Sequence, residues 1–223
     1  MGVDSVSVIV PQRGQTALTA QCLDRLIRTE PACEVVVVDD GTEPEEYRRW
    51  LRKKGAFCTT LRIPARGITR AWNAGIRQSR GATIVLLNND VVCEGAWAAP
   101  LCQALEQPGV VIAGAADRGE ATLQGTGLSG SEATRLLQGW CLAFRRETWE
   151  VLGGFDEAMS LYWSDTDFQR RAAQHHKVSL SQALRVVSVP LRHWGHRTAQ
   201  HREDRQACWR RDRDAYHRKW ALS

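Results

Sequence analysis

Over its first 115 residues the chain alternates short apolar runs with stretches that carry apolar side chains at helical spacing, and few folds accommodate that alternation. Residues 5–10 read as a buried strand. Residues 15–29 read as a helix with Leu18, Cys22, Leu23, Leu26 and Ile27 along one side, and 34–38 (EVVVV) as a second buried strand of mostly β-branched residues. A charged helix over 43–54 follows, with Pro44 suited to its first turn. Then come a strand over 57–63, a helix over 68–79, a strand over 82–87, a helix over 95–106 and a strand over 110–115. Strands joined through helices imply right-handed crossovers and a mainly parallel sheet, so the expected class is α/β with a Rossmann-like core.

Ligands on such a sheet gather at the carboxyl ends of the strands. Three polar clusters fall there: Pro11-Gln12-Arg13, Asp39-Asp40-Gly41 and Asn88-Asn89-Asp90. The second half is less regular. Residues 117–131 read as a loop, 139–145 as a strand, 147–152 and 166–175 as helices, and 178–180 and 186–189 as short strands. Residues 198–220 read as a long helix in which Trp209, Tyr216 and Trp220 share a face, an aromatic stripe expected mainly to pack.

The 223 residues are 43% hydrophobic and 25% charged, enough apolar material for a large core. No apolar run reaches the roughly 18 residues that span a bilayer. The N-terminus lacks a signal-peptide pattern, so the expected location is the cytoplasm. Seven cysteines without a Cys-x-x-Cys pair point to reduced thiols, not a disulfide framework or a zinc site. The net charge of +5 lies wholly in residues 192–223, with nine Lys/Arg against four Asp/Glu, because the first 191 residues carry 21 of each. That basic end is either a solvated helix face or a surface for anionic phosphates.

Asp90 follows an apolar strand and can offer an oxygen to a hard divalent cation that also takes phosphate oxygens. Asp39 and Asp40, side by side at a strand end, call for hydrogen-bond donors, which a nucleoside supplies. Of Asp165 and Asp167, one suits the start of the following helix and the other a base on an acceptor hydroxyl. His193, in Arg192-His193-Trp194, has the chemistry of a metal ligand.

Taken in order, these clusters resemble the family-two glycosyltransferases of the GT-A fold. The stretches are "VSVIVP", "EVVVVDDGT", "RGITRAWNAGIRQSRGATIVLLNND", "GWCLAFRRETWEVLGGFDE", "LYWSDTDFQRR", "HWGHRT" and "YHRKW", and the closing ones are similar to the non-processive, rhamnosyltransferase-like branch. The resemblance implies one GT-A domain over 1–197, with a nucleotide-sugar half (1–115) and an acceptor half (116–197), and a basic terminal helix over 198–223. It places Pro11, Asp39, Asp40, Arg66, Asn73, Asn89 and Asp90 on the donor, Asp90 and His193 on Mn2+ or Mg2+, Asp165 as the general base, and Trp140 and Trp163 on the acceptor side. The implied reaction is an inverting transfer from a nucleoside-diphosphate sugar, UDP-sugar favoured, to an acceptor hydroxyl.

A saccharide or lipid-linked saccharide is the acceptor the resemblance implies; the basic, Trp- and His-rich end offers a hydroxylated base in DNA as a second. The chain departs from the family pattern at several places. Asn88-Asn89-Asp90 keeps one carboxylate of the Asp-x-Asp motif, Ser164 replaces the acidic neighbour of the base, and the processivity motif Gln-x-x-Arg-Trp is absent. A catalytically inactive protein that binds nucleotide-sugar or nucleic acid is the alternative these departures leave.

Overall fold

The computed structural model describes residues 5–115, 123–125, 135–194 and 204–221. A seven-stranded sheet organises it. The strands are β1 (Val6–Gln12), β2 (Glu34–Asp40), β3 (Thr59–Ile63), β4 (Thr83–Leu87), β6 (Ile112–Ala115), β9 (Cys141–Arg145) and β10 (Leu184–Val187), in the spatial order β10-β6-β9-β4-β1-β2-β3. Only β9 runs antiparallel to its neighbours, so the sheet is mainly parallel, as expected.

The strands read as unbroken apolar runs because both faces are covered. Val8, Val10, Val35, Val37, Val85 and Leu87 face one core, with helices α1 (Thr16–Thr29), α2 (Pro44–Lys54) and α4 (Ala98–Leu105). Ile9, Val36, Val38, Ile84 and Leu86 face the other, with α3 (Ile68–Gln78), α6 (Ser164–His175) and the short α7 (Leu180–Ala183). Each fully buried aliphatic side chain contributes about 1.5–3 kcal/mol. Helix α3 lies close enough on the sheet that a Cβ at Gly75 would stand 2.4 Å from Ile9 Cγ2. Helix α2 starts where Pro44 indicates: Glu43 caps it by accepting from the backbone of Glu45 and Glu46.

Several boundaries differ from the sequence reading. Residues 123–125, read as loop, form β7 (Leu123–Gly125), which pairs antiparallel with β8 (Arg135–Leu137). Residues 178–180, read as a strand, lead instead into α7, because Ser179 accepts from the backbone of Gln182 and starts a helical turn. The following strand is 184–187 and not 186–189. A two-stranded ribbon of β5 (Val91–Cys93) and β11 (Leu191–His193) was not anticipated; strands of three residues carry almost no periodic signal. Helix α5 (Arg146–Val151) follows β9 directly.

The terminal helix α8 (Arg205–Lys219) is shorter than the expected 198–220, of which 198–203 lie outside the described residues. It packs on the entry to α6: Tyr216 is fully buried, its ring 5.0 Å from that of Trp163, and Trp209 lies 6.1 Å from the same ring. The aromatic stripe is therefore packing, as expected. None of the seven cysteines forms a disulfide, and burial pushes the Cys141 thiol up to about 12. Among the described residues no helix is long and apolar enough to cross a membrane.

Candidate active site

At the carboxyl end of β1 and β2, strand register sets the first cluster. Gln12 pairs with Asp39 across the two strands, and its amide nitrogen donates to Asp39 Oδ1 at 3.1 Å. Asp39 also accepts from the backbone of Thr42 at 3.2 Å and lies 3.5 Å from Arg62 Nε. Asp40 accepts from the backbone N–H groups of Arg66 (2.7 Å) and Gly67 (3.0 Å), which fastens the loop before α3 to the sheet edge. Arg13 Nη1 stands 3.8 Å from Asp40 Oδ2. Pro11, expected in a loop, is a buried residue of β1, because the strand continues through Gln12.

The exposed Arg66 lines a cleft of about 370 Å³ with Arg13, Arg70, Ser160 and Arg211. Gln12, Arg13 and Arg70 were not singled out as site residues. Gln12 Oε1 is buried with no hydrogen-bond partner among the described residues, and only cross-strand register, invisible in a linear sequence, shows what holds its amide.

The second cluster forms where β4 ends. Asn89 is buried and donates to Thr19 Oγ1 at 3.0 Å. Asp90 is 5% exposed, and His193 Nε2 lies 3.1 Å from its Oδ1. The β5–β11 ribbon makes this contact: His193 pairs with Val91, and the backbone N–H of Trp194 donates to Asp90 O at 3.0 Å. Two metal ligands about 2.1 Å from a cation and at right angles to each other stand roughly 3.0 Å apart. A carboxylate oxygen and an imidazole nitrogen at 3.1 Å therefore fit two adjacent positions of one octahedral Mn2+ or Mg2+. No group of three or more His, Cys, Asp or Glu residues that could hold a metal exists among the described residues.

Trp140 stacks on His193, ring centres 5.1 Å apart and planes 8° apart. Gly139, just before it, borders Asp165: a Cβ at Gly139 would stand 2.6 Å from Asp165 Oδ2. Asp165 is half-buried in the first turn of α6. Desolvation raises its pKa, opposed by backbone N–H groups including that of Thr166 at 2.9 Å. Asp165, Gly139-Trp140, His193 and Asp90 thus form one run of contacts along the rim of the sheet.

Two expected residues sit differently. Asn73 uses its whole amide inside the protein. It donates to Phe155 O and Glu157 Oε1 and accepts from Trp149 Nε1 and the Phe155 backbone, so it bears on the rim by holding the loop at 155–157. Trp163 takes a left-handed conformation (φ 67°) before α6, its ring against Trp209, Tyr216 and His217.

Known proteins are similar in sequence and fold. The model of glycosyl transferase family 2 matches residues 7–174. The O-antigen biosynthesis protein RfbC of Myxococcus xanthus is 28% identical over 91% of this chain and 18% of its own length. The uncharacterized glycosyltransferase EpsJ of Bacillus subtilis is 30% identical over 49% of this chain and 33% of its own. The chain thus spans a third or less of these relatives.

Among solved structures, glucosyl-3-phosphoglycerate synthase from Mycobacterium tuberculosis, in complex with Mn2+, UDP and glucosyl-3-phosphoglycerate, has a TM-score of 0.71. It is 14% identical and covers 99% of this chain and 81% of its own. The mannosyltransferase PcManGT from Pyrobaculum calidifontis, in complex with GDP-Man and Mn2+, has a TM-score of 0.61 at 23% identity, over 84% of this chain and 55% of its own. With its mainly parallel sheet, its acidic rim and a family match over most of its length, the chain belongs to glycosyl transferase family 2 and has the GT-A fold.

Proposed function

We propose that the chain transfers a sugar, with inversion, from a nucleoside-diphosphate sugar to an acceptor hydroxyl. The observation that carries this reading is the run of contacts from Asp165 through Gly139-Trp140 and His193 to Asp90, which brings a carboxylate and an Asp–His pair to one rim. The two solved relatives hold UDP or GDP-Man together with Mn2+, which supports the same ligand classes here; UDP-sugar is the favoured donor.

In this reading the Asp39–Asp40 edge and Arg66 take the nucleoside, with Pro11, Asn73 and Asn89 shaping the donor side. Asp90 and His193 hold Mn2+ or Mg2+, which when bound offsets charge on the departing diphosphate. Asp165 accepts the acceptor's hydroxyl proton as the oxygen attacks the anomeric carbon opposite the leaving group. Desolvation raises its pKa, which makes it a stronger base than an exposed aspartate. Trp140 and Trp163 border the acceptor side. A glycan or lipid-linked glycan is the acceptor class this favours.

Asp165→Asn tests the assignment. Donor binding should persist while transfer falls by roughly 10²–10⁴, the usual contribution of a positioned base. Normal turnover by that variant refutes the role of Asp165. Loss of donor hydrolysis and transfer in the wild-type protein, with binding intact, favours the inactive binding protein instead.

A further inference from the structure

A second cleft, of about 290 Å³, opens between the exposed side of α1 and the β5–β11 ribbon. Asn89 and Asp90 are among its buried members; Arg25 and Arg28 of α1, Arg192 of β11 and Trp194 line it from outside. Nothing in the donor and base assignments uses these four.

The arrangement differs from an ordinary solvated helix face, because the three arginines come from two elements and meet at one opening. Arg25 and Arg28 are exposed, and neither has a carboxylate partner among the described residues. Arg28 donates its Nε to the carbonyl of Asp24 at 2.9 Å, which fixes the direction of its guanidinium, while the Asp24 carboxylate is engaged by Lys54. Arg192 pairs at 3.2 Å with Glu94 on the rim, where both side chains are about half exposed. Trp194 is 40% exposed at the same opening.

Two carboxylates, Asp24 and Asp90, line the same cleft, but Lys54 and His193 already engage them, and the three arginines outnumber them. The planar fork of arginine matches phosphate oxygens in pairs, and arginines from two elements can grip a phosphate from two sides. We propose that this cleft binds a phosphate group carried by the acceptor, and so brings the acceptor to the rim beside Asp90. That the phosphate belongs to an acceptor rests on the transferase reading; that the cleft binds phosphate does not. The chemistry is shared by a soluble phosphorylated sugar and a lipid-borne phosphate.

Calorimetric titration of the full chain with inorganic pyrophosphate, in EDTA and low salt, tests it. The wild-type protein should bind, and the double variant Arg25→Ala/Arg28→Ala should bind at least tenfold more weakly. Arg192→Gln should weaken binding severalfold, and Arg66→Ala, in the other cleft, less than twofold. These side chains are exposed, so melting temperatures should stay within a degree or two of wild type.

No binding by the wild-type protein, or a loss with Arg66→Ala but not with Arg25→Ala/Arg28→Ala, overturns the proposal. Flotation with 4:1 phosphatidylcholine:phosphatidylglycerol vesicles separates the sources. Flotation that the double variant loses assigns a lipid-borne phosphate, and pyrophosphate binding without flotation assigns a soluble one. Metal and donor are absent from the titration. A protein that binds pyrophosphate here yet transfers no sugar therefore keeps the anion site and loses the transferase reading.

Discussion

Asp165 and Asp167 stand two residues apart on one helix and meet opposite surroundings. Asp167 is fully buried among donors: Arg171 Nε at 2.7 Å, Lys219 Nζ at 2.9 Å and Trp220 Nε1 at 3.0 Å. Asp165 meets no cationic side chain among the described residues, and its desolvation raises its pKa. Its folded form therefore holds a proton more tightly than the unfolded chain does. The stability this group contributes is complete below the unfolded pKa of about 3.9 and is lost as pH rises through the folded value. At pH 7, above the unfolded pKa, the raised folded pKa costs stability, so Asp165→Asn should melt at a higher temperature than wild type. The difference should shrink towards zero below about pH 4. Melting curves followed by circular dichroism at pH 7 and pH 4 check both signs; a variant less stable at pH 7 contradicts the electrostatic account.

At the scale of elements, α8 is fixed by carboxylates more than by its own amphipathicity. Asp212, fully buried on α8, accepts from the backbone N–H groups of Leu161 (2.7 Å) and Tyr162 (3.1 Å) and from Ser160 Oγ. At the far end Asp167 receives Lys219 and Trp220, and Arg170 lies 3.8 Å from the Trp220 ring centre. Lys219, one of the nine basic residues of this end, is thereby engaged in docking. Removing the Asp212 carboxylate deprives two part-buried N–H groups of their acceptor, so Asp212→Ala should cost about 1–3 kcal/mol in urea unfolding. Asp214→Ala, which removes an exposed pair with Arg213, should cost under about 1 kcal/mol. Equal costs for the two variants would mean that α8 is not held as described.

At the scale of the whole molecule, the parallel sheet was readable because strands covered on both faces, such as EVVVV, leave a continuous apolar trace. The three polar clusters could be placed at its rim for the same reason. The β5–β11 ribbon was not readable. Its partners lie about a hundred residues apart, and three-residue strands have no period to detect. Yet that ribbon is what brings His193 to Asp90, so the two residues could be singled out by their chemistry but not connected. The Gln12–Asp39 contact and the filled amide of Asn73 depend likewise on pairings between distant segments. The division of labour between Asp165 and Asp167 follows from the docking of α8, which no local pattern encodes.

The central claim is that Asp90 and His193 hold a cation against a nucleoside diphosphate at this rim. Calorimetric titration of UDP into the protein, with Mn2+ and with EDTA, for wild type, Asp90→Ala and His193→Ala, tests it most directly. The account predicts Mn2+-dependent binding that either substitution weakens by tenfold or more. UDP binding of equal strength in EDTA, untouched by both substitutions, would contradict it.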